Sequence, residues 1–107
     1  MKQIVAVIKP FLAEKVIQSL GDLDLEQVCI REVKGFGRQK NFLDRYGENE
    51  YSLAFLPKVE ITVWAHDQHV TSIVDRIKSV SRTGRLGDGK IFVTDVVDDQ
   101  SIGELPT

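Results

Sequence analysis

Two short segments combine glycine with lysine and arginine at a spacing suited to holding an anion. The first is Lys34-Gly35-Phe36-Gly37-Arg38-Gln39-Lys40 and the second is Thr83-Gly84-Arg85-Leu86-Gly87-Asp88-Gly89-Lys90. Glycine lets successive backbone N–H groups turn toward one point, and lysine or arginine adds charge-assisted hydrogen bonds to phosphate oxygens. Neither segment is a GxxxxGK[ST] phosphate loop or a GxGxxG dinucleotide fingerprint. On chemistry alone the pattern therefore stands between a phosphate cradle and two glycine turns carrying solvated charges. Other chemistries find little support. A single cysteine, Cys29, excludes a disulfide framework and a Cys-based zinc site, and Cys29 reads as a small buried hydrophobe. His66 and His69 have no nucleophile or base partner in sequence reach and read as surface or helix-start residues. No Asp/Glu/His cluster has the look of a self-sufficient metal site.

The elements that must position these segments follow from periodicity. Lys2 to Ile8 is apolar on both faces, the pattern of a strand buried on both sides. Pro10 suits the first turn of a helix, Leu12, Val16, Ile17 and Leu20 recur at helical spacing, and Gly21 is a natural stop. Leu25 to Lys34 alternates as a strand, with Val28 and Ile30 on one side and Cys29, Arg31 and Val33 on the other. Val59 to Ala65 alternates likewise. Val70, Ile73, Val74, Ile77 and Val80 mark a second amphipathic helix, with Asp67 as its N-cap, and Lys90 to Val97 is strand-like. The order β-α-β-β-α-β is the α+β, ferredoxin-like pattern: a four-stranded antiparallel sheet with two helices on one face. The uncovered face then calls for other subunits, so the domain is expected to form an oligomer.

Composition bounds the rest. The chain has 107 residues, enough for one domain over 1–107. It carries 14 Lys plus Arg against 16 Asp plus Glu, a net charge of −2 that makes no case for nucleic acid or an anionic membrane. No apolar run reaches the roughly 20 residues of a membrane span, and the N-terminus lacks a small-residue cleavage site, so a cytoplasmic location is expected. Charge is unevenly placed: Arg76, Lys78, Arg82, Arg85 and Lys90 face only Asp88 between 76 and 90, whereas 91–107 holds no Lys or Arg. The acidic tail runs from about 98 to 107. Between the second and third strands, about 36–53, lies a loop without steady period. Hairpin loops usually run about 2–5 residues, and longer ones are usually functional, so this one reads as a recognition loop.

At Ile8-Lys9-Pro10-Phe11, Glu32 to Lys40, Glu50-Tyr51, Phe55-Leu56-Pro57-Lys58 and Thr83 to Val93, the chain resembles the PII nitrogen-regulatory signalling proteins over nearly its whole length, with the spacing between blocks also in agreement. The resemblance implies a homotrimer that binds ATP or ADP in clefts between subunits, and 2-oxoglutarate together with Mg-ATP. It also implies that the 36–53 loop, the T-loop, docks on a target enzyme or an ammonium transporter. Carried over residue by residue, the nucleotide site comprises Cys29, Gly35, Gly37, Arg38, Trp64, Arg82, Thr83, Gly87, Asp88, Gly89 and Lys90. At Trp64 the backbone meets the adenine, and Gly87 to Lys90 hold phosphates through backbone N–H groups and the lysine ammonium. Gln39, Lys58 and Gly87 would hold 2-oxoglutarate, and Gln39 also contacts Mg²⁺ that arrives with ATP. Tyr51 matches the tyrosine that some family members modify with a nucleotidyl group; an exposed docking tyrosine is the rival reading.

The departures are specific. Ser101 and Gly103 stand where the family usually has an Arg-x-Arg motif reaching the phosphates, Cys29 replaces a common threonine, and Asn49 replaces a serine. Nothing in the sequence places a general base against the phosphates, so a regulator rather than an enzyme is expected. A slow ATP hydrolase using Lys90, Gln39 and Mg²⁺ is the enzymatic alternative. A divergent sensor of another nucleotide or anion is the alternative that the two missing arginines motivate.

Overall fold

A computed structural model describes residues 1–35, 56–85 and 87–103. Along the chain it comprises β1 (Lys2–Ile8), a 3-10 turn (Pro10–Leu12), α1 (Ala13–Ser19), β2 (Gln27–Gly35), β3 (Leu56–Ala65), a second 3-10 turn (Asp67–His69), α2 (Val70–Ser81) and β4 (Gly89–Asp95). The strands form one antiparallel sheet in the order β2-β3-β1-β4. This is the ferredoxin-like α+β arrangement that the element order predicts.

Period-2 alternation sorts β1 and β3 into two faces. Ile4, Ala6 and Ile8 of β1, with Val59, Ile61, Val63 and Ala65 of β3, join Leu12, Val16, Leu20, Ile73 and Ile77 in a single core. The helix positions lie three or four residues apart, so one stripe of each helix meets the sheet. Arg76 of α2 ties the two helices together: its guanidinium donates to the Ser19 carbonyl at 2.9 Å and pairs with Asp22.

The opposite face is open. The register sets Phe92, Val5, Thr62 and Cys29 in one row, Lys90, Val7, Glu60 and Arg31 in the next, and Thr94, Gln3, Trp64 and Gln27 in a third. Val5 and Val7 are half-buried rather than buried and Phe92 is 52% exposed, so within one chain β1 is covered on one face only. Edge strand β2 is exposed from Gln27 to Glu32, including Val28 and Ile30.

Four sequence expectations need correction. Cys29 is exposed, because it lies on the open face of an edge strand. Asp67 caps no helix; His66 and His69 hold the cap positions of the 3-10 turn and of α2, and the Asp67 carboxylate pairs instead with the N-terminal ammonium of Met1 at 2.9 Å. Strand β4 ends at Asp95 rather than Val97, and Val97 is fully exposed. Pro10 opens a 3-10 turn, with the α-helix beginning at Ala13.

Candidate functional site

At the end of the sheet where β1 finishes and β4 begins, side chains distant in sequence converge on the Thr83–Gly89 turn. The backbone there demands glycine. Gly89 has φ 118°, and a Cβ at this position would lie 1.9 Å from the Val7 carbonyl oxygen, inside the facing strand. The turn can therefore lie flat on the end of β1, where Ile8 pairs with Gly89.

Asp88 organises the turn. One carboxylate oxygen accepts the backbone N–H groups of Thr83 at 2.8 Å and Gly84 at 3.0 Å. The other accepts the Thr83 hydroxyl and the Lys9 ammonium, the latter at 3.0 Å. Hydrogen bonds from Thr83, and the Lys9 ammonium beside it, stabilise the carboxylate and hold Asp88 well below the usual carboxylate range.

Lys58 reaches the same turn from β3. Its side chain is buried, and Nζ donates to the Gly87 carbonyl at 2.6 Å. Gly35 makes room for it: a Cβ there would stand 2.7 Å from Lys58 Cγ. Burial, followed by repulsion from Lys9, pushes the Lys58 ammonium below its ordinary value, with Asp88 opposing.

Beside the turn, a groove of about 220 Å³ runs between the last turn of α2 and the start of β4. Lys78, Ser81 and Arg82 line one side and Asp88, Gly89, Lys90 and Ile91 the other. Lys78 and Arg82 thus border a groove whose one acid is already engaged by Lys9, while Lys90 lies in the open-face row of Val7 and Glu60. The Ser81 Oγ is buried without a hydrogen-bond partner among the described residues. The Lys90 ammonium sits 5.9 Å from the Phe92 ring centroid, at the outer range of a cation–π contact.

Of the residues that the resemblance implies, one chain brings together Gly35, Lys58, Thr83, Gly87, Asp88, Gly89 and Lys90, with Arg82 at the groove. It does not bring Cys29 and Trp64 to them. Trp64 pairs with Gln3 and Gly89 with Ile8, which separates them by about 17 Å along the strand at ~3.3 Å per residue. The Trp64 indole N–H donates to Gln3 at 3.0 Å, and the Cys29 Sγ lies 3.7 Å from the Gln27 amide nitrogen. Gly37, Arg38, Gln39 and Tyr51, with the rest of the 36–53 loop, lie outside the described residues, as does the end of the acidic tail. Ser101 and Gly103 are exposed beyond β4. Among the described residues, no three His, Cys, Asp or Glu side chains cluster as metal ligands.

Lys9, Lys78 and Ser81 escape sequence reasoning. Lys9 lies 79 residues from Asp88, so no local spacing announces the pair.

A ferredoxin-like sheet with a glycine-rich turn and basic side chains at one end defines a small α+β domain. The family model for nitrogen regulatory protein P-II matches residues 1–103, and the chain belongs to that family. It is 46% identical to "Nitrogen regulatory protein P-II 1" of Escherichia coli (strain K12), and 45% and 43% identical to "Nitrogen regulatory protein P-II" of Azospirillum brasilense and of Rhizobium meliloti (strain 1021). Each match runs over 96 residues, 90% of this chain and 86% of the relative. The chain is thus a member of a family of regulators in nitrogen signal transduction. No helix among the described residues is long and apolar enough to cross a membrane.

Proposed function

We propose that this chain is a non-enzymatic regulator that reads adenine nucleotide and 2-oxoglutarate and passes the result to partner proteins through its 36–53 loop. The partners are a nitrogen-metabolism enzyme or an ammonium transporter. The observation that carries the reading is the set of bonds from the chain's own Asp88 to Thr83 and Gly84, with Lys90 and Arg82 beside the turn and Lys58 bonded to Gly87. A turn that the chain itself holds in shape spares a ligand part of the ordering cost.

The separation of Trp64 and Cys29 from this turn supports a site completed by a second subunit. One small ligand that meets both sets draws them from two chains, and the open sheet face with half-buried Val5 and Val7 supports a homotrimer. ATP or ADP then occupies the cleft. Gly87 and Gly89 present backbone to the phosphates, Lys90 and Arg82 supply charge, and the Asp88 carboxylate stays on Thr83. Gln39, with ATP-borne Mg²⁺, and Lys58 hold 2-oxoglutarate. Lys58 is placed to couple the two ligands, because its ammonium already touches the nucleotide turn. Tyr51 is a candidate for nucleotidylation, tested by incubation with a uridylyltransferase and UTP.

Exposed Ser101 and Gly103 bring no cation to the phosphates, which favours a second reading: a sensor of a less highly charged nucleotide or another anion. Calorimetric titration decides between them, using ATP with Mg²⁺, with and without 2-oxoglutarate, and Lys90→Ala as control. ATP binding with 2-oxoglutarate binding only in its presence supports the first reading; ATP binding without that coupling leaves an adenylate sensor. Absence of ATP binding turns the assignment to the second reading. Phosphate release from ATP far above the Lys90→Ala level refutes the non-enzymatic assignment.

A further inference from the structure

Two adjacent backbone N–H groups, a hydroxyl and an ammonium are a donor set suited to a phosphate oxygen. At Thr83, Gly84 and Lys9 this set is filled by the chain's own Asp88 carboxylate. The Thr83 hydroxyl oxygen is itself held, by the Lys9 ammonium at 3.2 Å and the Arg85 N–H at 3.3 Å. Lys9 stands on a fixed base, since it directly follows β1 and its carbonyl accepts the Leu12 N–H at 3.1 Å. The Lys9 and Asp88 side chains are only 20% and 24% exposed. These donors are therefore occupied by the chain's own carboxylate.

We infer that Asp88 and Lys9 are positioning residues: the pair braces the Thr83–Gly89 turn from within, so that the backbone of Gly87 and Gly89 and the Lys90 ammonium face the ligand in binding geometry. The inference rests on the nucleotide reading of the turn. Two opposed effects make it testable. If Asp88 acted only as a negative charge near an anionic ligand, its loss would tighten nucleotide binding, and loss of the Lys9 cation would weaken it. If the pair acts as a brace, loss of either partner weakens binding, because the turn must then be ordered when the ligand arrives. The ion pair carries no net charge, and the Asp88 carboxylate accepts four hydrogen bonds, from Lys9, Gly84 and twice from Thr83, so the brace dominates.

A double-mutant cycle on the full chain, with Asp88→Asn, Lys9→Met and the combination, reads the difference. ATP affinity is measured by calorimetry, and exchange of the Thr83 and Gly84 amides by NMR on unliganded protein. The brace predicts that each single change weakens ATP binding by about tenfold or more, the scale of one charge-assisted hydrogen bond. The double variant should be no weaker than the weaker single, and Lys9→Arg should restore affinity. It also predicts about tenfold faster exchange at Thr83 and Gly84 in Asp88→Asn, while the thermal midpoint shows the fold intact. ATP binding by Asp88→Asn as tight as wild type or tighter overturns the brace, as does unchanged exchange at the two amides. If the wild-type chain binds no ATP, the nucleotide reading fails, and the exchange measurement still decides whether Asp88 braces the turn.

Discussion

Replacing Gly89 by alanine would put a methyl carbon 1.9 Å from the Val7 carbonyl oxygen, 3.0 Å from the Val7 carbonyl carbon and 3.2 Å from the Ile8 Cα. All three atoms are backbone of the adjacent strand, so no side-chain rotation relieves the overlap. The start of β4 has to lift from β1, opening the ladder where Gly89 faces Ile8 and Lys90 faces Val7. Losing one or two backbone hydrogen bonds costs about 0.5–1.5 kcal/mol each, and holding alanine at φ 118° adds about 1–3 kcal/mol. We therefore expect a loss of about 3 kcal/mol, or roughly 10–20 °C in Tm for a domain of this size. Two other glycines calibrate the number. Gly84 has φ 82° but nothing within 4 Å of its would-be Cβ, so Gly84→Ala carries only the conformational cost of about 1–2 kcal/mol. Gly103→Ala meets open space and should be neutral. Urea denaturation at one fixed protein concentration measures the series, with unchanged slope as the check on two-state behaviour. Equal losses in Gly89→Ala and Gly84→Ala would refute the steric argument, because they differ chiefly in the Val7 contact.

Ile61 is fully buried at the centre of the core, so Ile61→Ala should cost about 2–5 kcal/mol in denaturant titration. Ile30, 51% exposed on the edge strand, should lose under about 1 kcal/mol within a single chain; a larger loss that grows on dilution would locate a subunit interface on β2. The folded Asp88 carboxyl lies below its unfolded value, so its contribution to stability is full above the unfolded pKa and fades as pH falls through the folded one. The stability gap between wild type and Asp88→Asn should accordingly hold from pH 7 to about 5 and narrow only below about pH 4; denaturation at several pH values checks it. Arg76→Met removes the bond to the Ser19 carbonyl that ties α1 to α2 and should cost about 1 kcal/mol, read from the denaturation midpoint.

The order of strands and helices was legible in the chain because hydrophobic periodicity is a local property. Alternation at Val59, Ile61 and Val63, and the helical recurrence of Ile73 and Ile77, name the residues that reach the core. The glycine-rich turn was legible too, since Gly84, Gly87 and Gly89 take the left-handed or otherwise glycine-favoured backbone that their spacing implies. Burial of individual positions was not legible. Cys29 and Ile30 carry side chains that usually seek the interior, and they are exposed because β2 is at the edge of the sheet. Edge position is set by strand order, which no local pattern encodes.

Asp67 and Asp88 show the same limit for charge. Asp67 reads as a helix cap but meets the N-terminal ammonium, and no spacing tells that the Asp88 carboxylate meets Lys9 and Thr83. A carboxylate pairs with the cation that tertiary packing brings within about 4 Å, whatever its distance along the chain. The sequence by itself therefore determined which elements form and where the chain turns. Only the tertiary structure decided that the ends of β1, β3 and β4 meet, placing Lys9, Lys58 and Asp88 around one turn, because that meeting depends on antiparallel register across the whole sheet.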